Sequence, residues 1–214
     1  MPMRVVPLGD SALTVEIGTE RSAELLRQVH AAAAQIRTAR IDDVLDVVPA
    51  YLAVTVFYDP LRQPFTEISK RVLECLALHE SNTAAEPPSQ HLIPVHYDGM
   101  DLESVAAATS LSVDDVISIH SGATYTVDLL GFVPGWAYLS GLDRRLQIPR
   151  RPQPRPRVAA GSVAIAATQT GVYPLDTPGG WHIIGRTDTA MFDAHRIPPA
   201  LLKAGDTVRF EKTS

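Results

Sequence analysis

Cysteine is almost absent from this chain: Cys75 stands alone among 214 residues, which excludes an internal disulfide and any cysteine-rich metal site. Lysine is scarce as well, confined to Lys70, Lys203 and Lys212. None of the three sits in a Gly-x-x-x-x-Gly-Lys-Ser/Thr loop, so a P-loop nucleotide site is excluded. No apolar run approaches the roughly 18 residues of a membrane span; the longest apolar region, VDLLGFVPGWAYLSGL, is broken by Asp128, Pro134 and several glycines. The opening MPMRVVPLGDSALTVEIG carries none of the charged, apolar and cleavage segments of a signal peptide. The expectation is a cytoplasmic protein with no membrane partner. Histidines are few, and His91, His96 and His182 lack any H-x-x-x-H or H-E-x-x-H spacing, so nothing specifies a metal.

What is present is a composition of 45% hydrophobic residues, enough for a proper core. RVVPLG and ALTVEIG read as two strands around a Gly9-Asp10-Ser11 turn. Thr19 is placed to cap a helix whose apolar positions Leu25, Val29, Ala33 and Ile36 recur at helical spacing. VLDVVPAYLAVTVFYD gives two more strands, and a second helix from Thr66 lines up Ile68, Val72, Cys75 and Leu76, which makes Cys75 a buried structural thiol. This is a compact α+β unit over residues 1–80. The polar stretch 79–90, HESNTAAEPPSQ, reads as a linker. A second domain, 91–214, opens on the strand HLIPVHYDG and two short helices, LESVAAATS and VDDVISIHS. TYTVDLLGF, GSVAIAAT, GVYPLD, GWHIIGRT and TVRFE then follow as short strands with Gly and Pro corners, the pattern of a β-barrel or sandwich.

Charge is unevenly distributed. The formal net charge is −5, yet Asp143 to Arg157 holds six arginines against one aspartate. That leaves a surface elsewhere that repels phosphate, which excludes a nucleic-acid partner. The two helices resemble a helix-turn-helix in outline, but Asp114 and Asp115 at the start of the second would face DNA phosphates unfavourably. The prolines of PRRPQPRPR make the basic segment a stiff arm, read as an exposed, anion-facing loop. In polyproline II geometry its arginines project from several edges, which suits a groove better than one-sided recognition.

Three further signals concern chemistry. His120 falls at helical spacing from Val113, Val116 and Ile117, the position of a core-edge histidine. GFVPGWAYLSGL mixes Gly, Pro and aromatics, so Phe132, Trp136 and Tyr138 form a wall that is either core or pocket. TPGGWHIIGRT sets Gly179, Gly180 and Trp181 ahead of Arg186, readable as an anion cradle or as a tight hairpin with a solvated arginine.

The long stretch from GFVPGWAYLSGL through LQIPRRPQPRPRVAAGSVAIAATQTGVYPLDTPGGWHIIGRT, with HSGATYTV upstream and GDSALTVEIG near the start, closely resembles the KipI family, also called allophanate hydrolase subunit 1 or the 5-oxoprolinase B subunit. Trp136 stands where the family motif has Phe, and Ala167 where it has Gly. His120, Tyr125, Gln169, Tyr173, Gly179, Gly180, Trp181 and Arg186 match it. The resemblance implies an α+β fold class, an N-terminal α+β sandwich domain followed by a cyclophilin-like β-barrel. It implies a subunit, inactive alone, of an ATP-dependent 5-oxoprolinase, with ATP bound somewhere in the complex and with a KipA-type subunit (the 5-oxoprolinase C subunit) and a LamB/YcsF-type subunit as partners. Its alternatives are a regulator that inhibits a sensor histidine kinase and a subunit acting on a urea derivative such as allophanate. On the enzyme reading, Arg155, Arg157 and Arg186 are anion clamps, His120 or His182 carries a proton, and Phe132, Trp136, Tyr138, Gln169, Gly179, Gly180 and Trp181 line the substrate.

Overall fold

The computed structural model describes residues 3–77 and 88–213. The chain divides into two compact units, Met1–Pro87 and Pro88–Ser214. Most of the stretch read as a linker lies outside the described residues.

In the first unit β1 (Arg4–Pro7), β2 (Ala12–Glu16), β3 (Val44–Pro49) and β4 (Ala53–Tyr58) form an antiparallel sheet in the order β1-β2-β4-β3. Helices α1 (Ala23–Ala39) and α2 (Phe65–Ala77) pack on it. Alternation along the strands sends Leu13, Val15, Val54 and Val56 inward, where they meet Val29 and Ile36 of α1 and Ile68 and Val72 of α2. The cap of α1 differs from expectation: Ser22, in extended backbone and three residues beyond Thr19, accepts a hydrogen bond from the Leu25 amide at 3.0 Å. Cys75 is buried, which pushes its thiol up, as an inert structural thiol requires.

The second unit holds β5 (Gln90–Val95), α3 (Leu102–Thr109), α4 (Val113–Gly122), β6 (Thr124–Leu130), β7 (Ala137–Ser140), a 3-10 turn (Arg144–Leu146), β8 (Arg155–Val158), β9 (Ser162–Ala166), β10 (Gln169–Val172), β11 (Thr177–Gly179), β12 (His182–Arg186) and β13 (Thr207–Lys212). Seven strands run in the order β12-β9-β10-β7-β6-β13-β5. The two outer strands nearly meet. His96 and Arg186 exchange backbone hydrogen bonds at 2.9 and 2.8 Å, and the amides of Gly99 and Asp101 donate to the carbonyls of Ile184 and Ile183. The sheet is therefore a nearly closed β-barrel within a mixed α/β chain. Gly99 permits the seam, since a Cβ there would stand 2.3 Å from the Ile184 carbonyl carbon.

Period-two alternation sorts the barrel residues between two faces. Val163, Ile165, Val127, Leu139, Val208 and Phe210 fill the interior together with Val105 of α3 and Val116 of α4. Ala164 and Ala166 face outward and join Trp136, Tyr173, Trp181, Ile183 and Val158 in a second, smaller core on the outer wall. Val158 comes from the two-stranded ribbon β8–β11. The basic arm, expected as an exposed loop, is thus partly strand, and its apolar end is part of a core.

Candidate functional site

The arm is fixed by a buried carboxylate. Asp101, at the N-cap of α3, has a side chain only 4% exposed, and it accepts from both Nη atoms of Arg155 (2.8 and 2.7 Å), from Nη1 of Arg151 (3.0 Å) and from the Ile183 amide (2.7 Å). Burial pushes this carboxyl up, but the Arg155 hydrogen bonds, the Ile183 amide and the two guanidinium charges together outweigh it and hold it below the usual range. Further ties are the Arg151 amide to the Gly180 carbonyl (2.8 Å) and the Ala167 amide to the Ile148 carbonyl (2.7 Å). Arg157 bonds Asp176, Arg145 bonds Asp143, and Arg186 bonds Asp98. Arg155, Arg157 and Arg186, expected as anion clamps, each already hold a carboxylate of this chain. Asp101, fifty positions from the arm, is the residue that sequence reasoning missed, and no local pattern could have paired it.

Beside the arm lies the aromatic wall. Trp136 is the hub, with ring centroids 4.7 Å from Tyr173, 5.0 Å from Trp181, 5.8 Å from Tyr138 and 5.9 Å from Phe132, all edge to face. Trp136, Trp181 and Tyr173 are buried; Tyr138 is half-buried and Phe132 is 61% exposed. The wall is therefore both core and rim. Phe132 sits in the left-handed region at φ 70, and the Val133 amide donates to the Gly131 carbonyl across it, which makes a strained γ-turn that presents the ring to solvent. Arg150 stands over Trp181 with its guanidinium carbon 5.9 Å from the ring centroid.

A polar row continues from Tyr138 on the same outer face. Ser140, two residues along β7, donates to Oδ1 of Asp128 at 2.5 Å, and Gln169, opposite Ser140 on β10, donates to Oδ2 at 3.2 Å. Asp128 follows the inward Val127 on β6 and so faces outward, and a bulge between Val127 and Leu129 leaves it without a partner residue across the ladder.

The remaining expected residues separate. His120 is fully buried on α4, stacked on Phe210 at 4.7 Å. The Thr170 hydroxyl donates to the Ala164 carbonyl, so it accepts from Nε2–H of His120 (2.9 Å); Nδ1 then accepts from Tyr97 Oη–H (2.8 Å). Burial lowers its pKa to about 3, and the ring is a neutral, fully bonded core residue with no face open to a substrate. The catalytic role expected of it does not fit this placement. His182 donates from Nε2 to the Pro149 carbonyl at 2.9 Å, which leaves Nδ1 an acceptor without a partner among the described residues. Gly179 belongs to β11, where a Cβ would strike Tyr173 Oη at 2.1 Å, and Gly180 accepts from the arm. Arg186 closes the far end of β12, about 13 Å from His182 at strand rise, while Gly179 and Gly180 precede the near end. The glycine pair and Arg186 therefore form no common cradle.

The seat that does assemble is Arg150, Trp181, Tyr138 and Phe132 on the outer wall, continued by Ser140, Gln169 and Asp128. It offers a cation, flat apolar faces and an amide-like polar edge, the equipment to hold a small planar acid. Among the described residues no group of histidines, cysteines and carboxylates is placed to hold a metal ion, and no helix is long and apolar enough to cross a membrane.

Known proteins share this architecture. The B subunit of a 5-oxoprolinase from Bacillus subtilis is 40% identical over 99% of this chain and 93% of its own length. The crystal structure of TTHA0988 superposes with a TM-score of 0.85 at 37% identity over 95% of this chain, which spans 40% of that longer chain. The Kluyveromyces lactis urea amidolyase superposes over 99% of this chain and 15% of its own, with a TM-score of 0.79 at 18% identity, a likeness of fold alone. A family model described as carboxyltransferase domain, subdomain C and D, matches residues 3–202. The chain belongs to that family, the carboxyltransferase-domain subdomains C and D.

Proposed function

We propose that this chain is the B subunit of an ATP-dependent 5-oxoprolinase, which opens the lactam of 5-oxoproline to glutamate together with partner subunits. The observation that carries the reading is the 40% identity, end to end on both chains, with a protein of that name. Cytoplasmic assembly with a KipA-type C subunit and a LamB/YcsF-type subunit, and a cyclophilin-like barrel in the second unit, belong to the same reading. The presence of this unit inside a longer chain in TTHA0988 supports action beside further sequence.

The chemistry asks little of one chain acting alone. A lactam resists water because its nitrogen lone pair is delocalised into the carbonyl; transfer of a phosphoryl group from ATP to that oxygen removes the resistance, and ATP is held by the complex. This subunit's share is to bind and orient a small anion and to exclude water, tasks suited to a guanidinium beside aromatic faces. The test is co-purification of the chain with the products of neighbouring genes, followed by ATP hydrolysis with and without 5-oxoproline. Stimulation by 5-oxoproline in the assembled complex, with none from the chain alone, is the expected result. Robust turnover by the isolated chain, or a complex indifferent to 5-oxoproline, overturns the reading.

A further inference from the structure

We propose that Arg150, held over Trp181, is the carboxylate-recognising residue of this subunit, and that it seats a small acid with its carboxylate on the guanidinium and its flat body against the half-buried Tyr138. The proposal rests on the 5-oxoprolinase reading and adds the residue that selects the acid.

Elimination along the arm carries the first half of the argument. Of the six arginines between Asp143 and Arg157, Arg145 is bonded to Asp143, Arg151 and Arg155 share Asp101, and Arg157 is bonded to Asp176. Arg144 and Arg150 remain without a carboxylate among the described residues. Arg144 lies on the 3-10 turn, with no aromatic ring beneath it among the described residues. Arg150 is exposed, yet it is held above the Trp181 ring.

Preorganisation carries the second half. Pro149 before Arg150 is pinned through its carbonyl to His182, and Arg151 after it is pinned twice, through its amide to Gly180 and through Nη1 to Asp101. The backbone of Arg150 is thus fixed on both sides, so little ordering entropy opposes binding. The strong Arg151 and Arg155 contacts with Asp101 are the frame that aims Arg150. A guanidinium on an aromatic face keeps its edge donors free for a bidentate carboxylate, and the half-buried Tyr138, 6.1 Å from Trp181, supplies the apolar flank. A five-membered lactam bearing a carboxylate offers the anion and the small flat ring that this seat is equipped to hold.

The assembled complex provides the test, through 5-oxoproline-dependent ATP hydrolysis in Arg150→Gln and Arg150→Lys, with 2-pyrrolidinone, the same ring without its carboxylate, as the comparison substrate. Arg150→Gln is expected to raise the KM for 5-oxoproline at least tenfold while kcat changes less than threefold. The preference of the wild type for 5-oxoproline over 2-pyrrolidinone should shrink by the same factor, Arg150→Lys should recover part of it, and Arg144→Gln should match the wild type. A wild-type complex that responds to 5-oxoproline, alongside an Arg150→Gln complex with unchanged KM and preference, overturns the role of Arg150 and leaves the functional reading standing. A wild-type complex indifferent to 5-oxoproline overturns both.

Discussion

His120 shows at the residue scale how far a sequence reaches. Helical spacing from Val113, Val116 and Ile117 puts it on the inner side of α4, but its partners Tyr97 and Thr170 come from 23 positions before and 50 after, beyond any local pattern. A pH dependence follows. The folded ring titrates at about 3 against an ordinary 6.5, so between those values the unfolded chain binds one more proton than the folded one. Stability from this group is complete above pH 6.5 and is lost as pH falls, by about 1.4 kcal/mol per unit. Denaturant unfolding between pH 6.5 and 4.5, above the range of the depressed carboxylates, should show that slope in the wild type and its loss in His120→Gln; equal slopes count against the buried neutral ring. Asp101 is the complementary case. Its charge is visible in the sequence, but its burial under two arginines is not. Asp101→Asn removes the negative charge from that pair of guanidiniums and should cost about 3 kcal/mol of unfolding free energy, measured at pH 7.

At the scale of elements, strands and helices with strong periodicity are legible from sequence, as in α1, whose stripe of Leu25, Val29, Ala33 and Ile36 is buried throughout. The elements that carry the candidate seat are not. β7 lies inside a stretch whose Gly131, Pro134 and Gly135 read as turn, and β8 is flanked and interrupted by proline, which sequence rules keep off interior strands. β8 escapes because it pairs only with the three-residue β11, and their ribbon lies outside the seven-stranded sheet. The arm therefore acts as a strut in which equivalent-looking arginines do unequal work. Arg155→Gln, which breaks a pair whose side chains are 20% and 4% exposed, should cost about 2–3 kcal/mol. Arg157→Gln, whose ion pair with Asp176 faces solvent, should unfold like the wild type. Unfolding of the two variants side by side checks the contrast, and equal losses count against the strut.

For the whole molecule, each core is drawn from one unit: Leu13 to Leu76 in the first, Ile93 to Phe210 in the second. Residues 88–214 expressed alone should consequently give one cooperative unfolding transition with native-like near-ultraviolet dichroism, and a molten product counts against that independence. The barrel seam joins distant parts of that unit. The contacts that bring β12 to the chain just after β5 join residues 82 and 88 positions apart, so they reward the chain only after a long loop has closed. The intervening hairpins, such as β9–β10, form from near neighbours and have no such wait. Closure of the barrel, like the pairing of β13 with β5 across 117 positions, is therefore expected late in folding. Gly99→Ala, which wedges a methyl group into the seam, should speed unfolding in stopped-flow chevrons and leave the folding limb where it was. Until the seam closes, the barrel is an open, twisted sheet, with the edges of β5 and β12 exposed to any extended segment that arrives before they find each other.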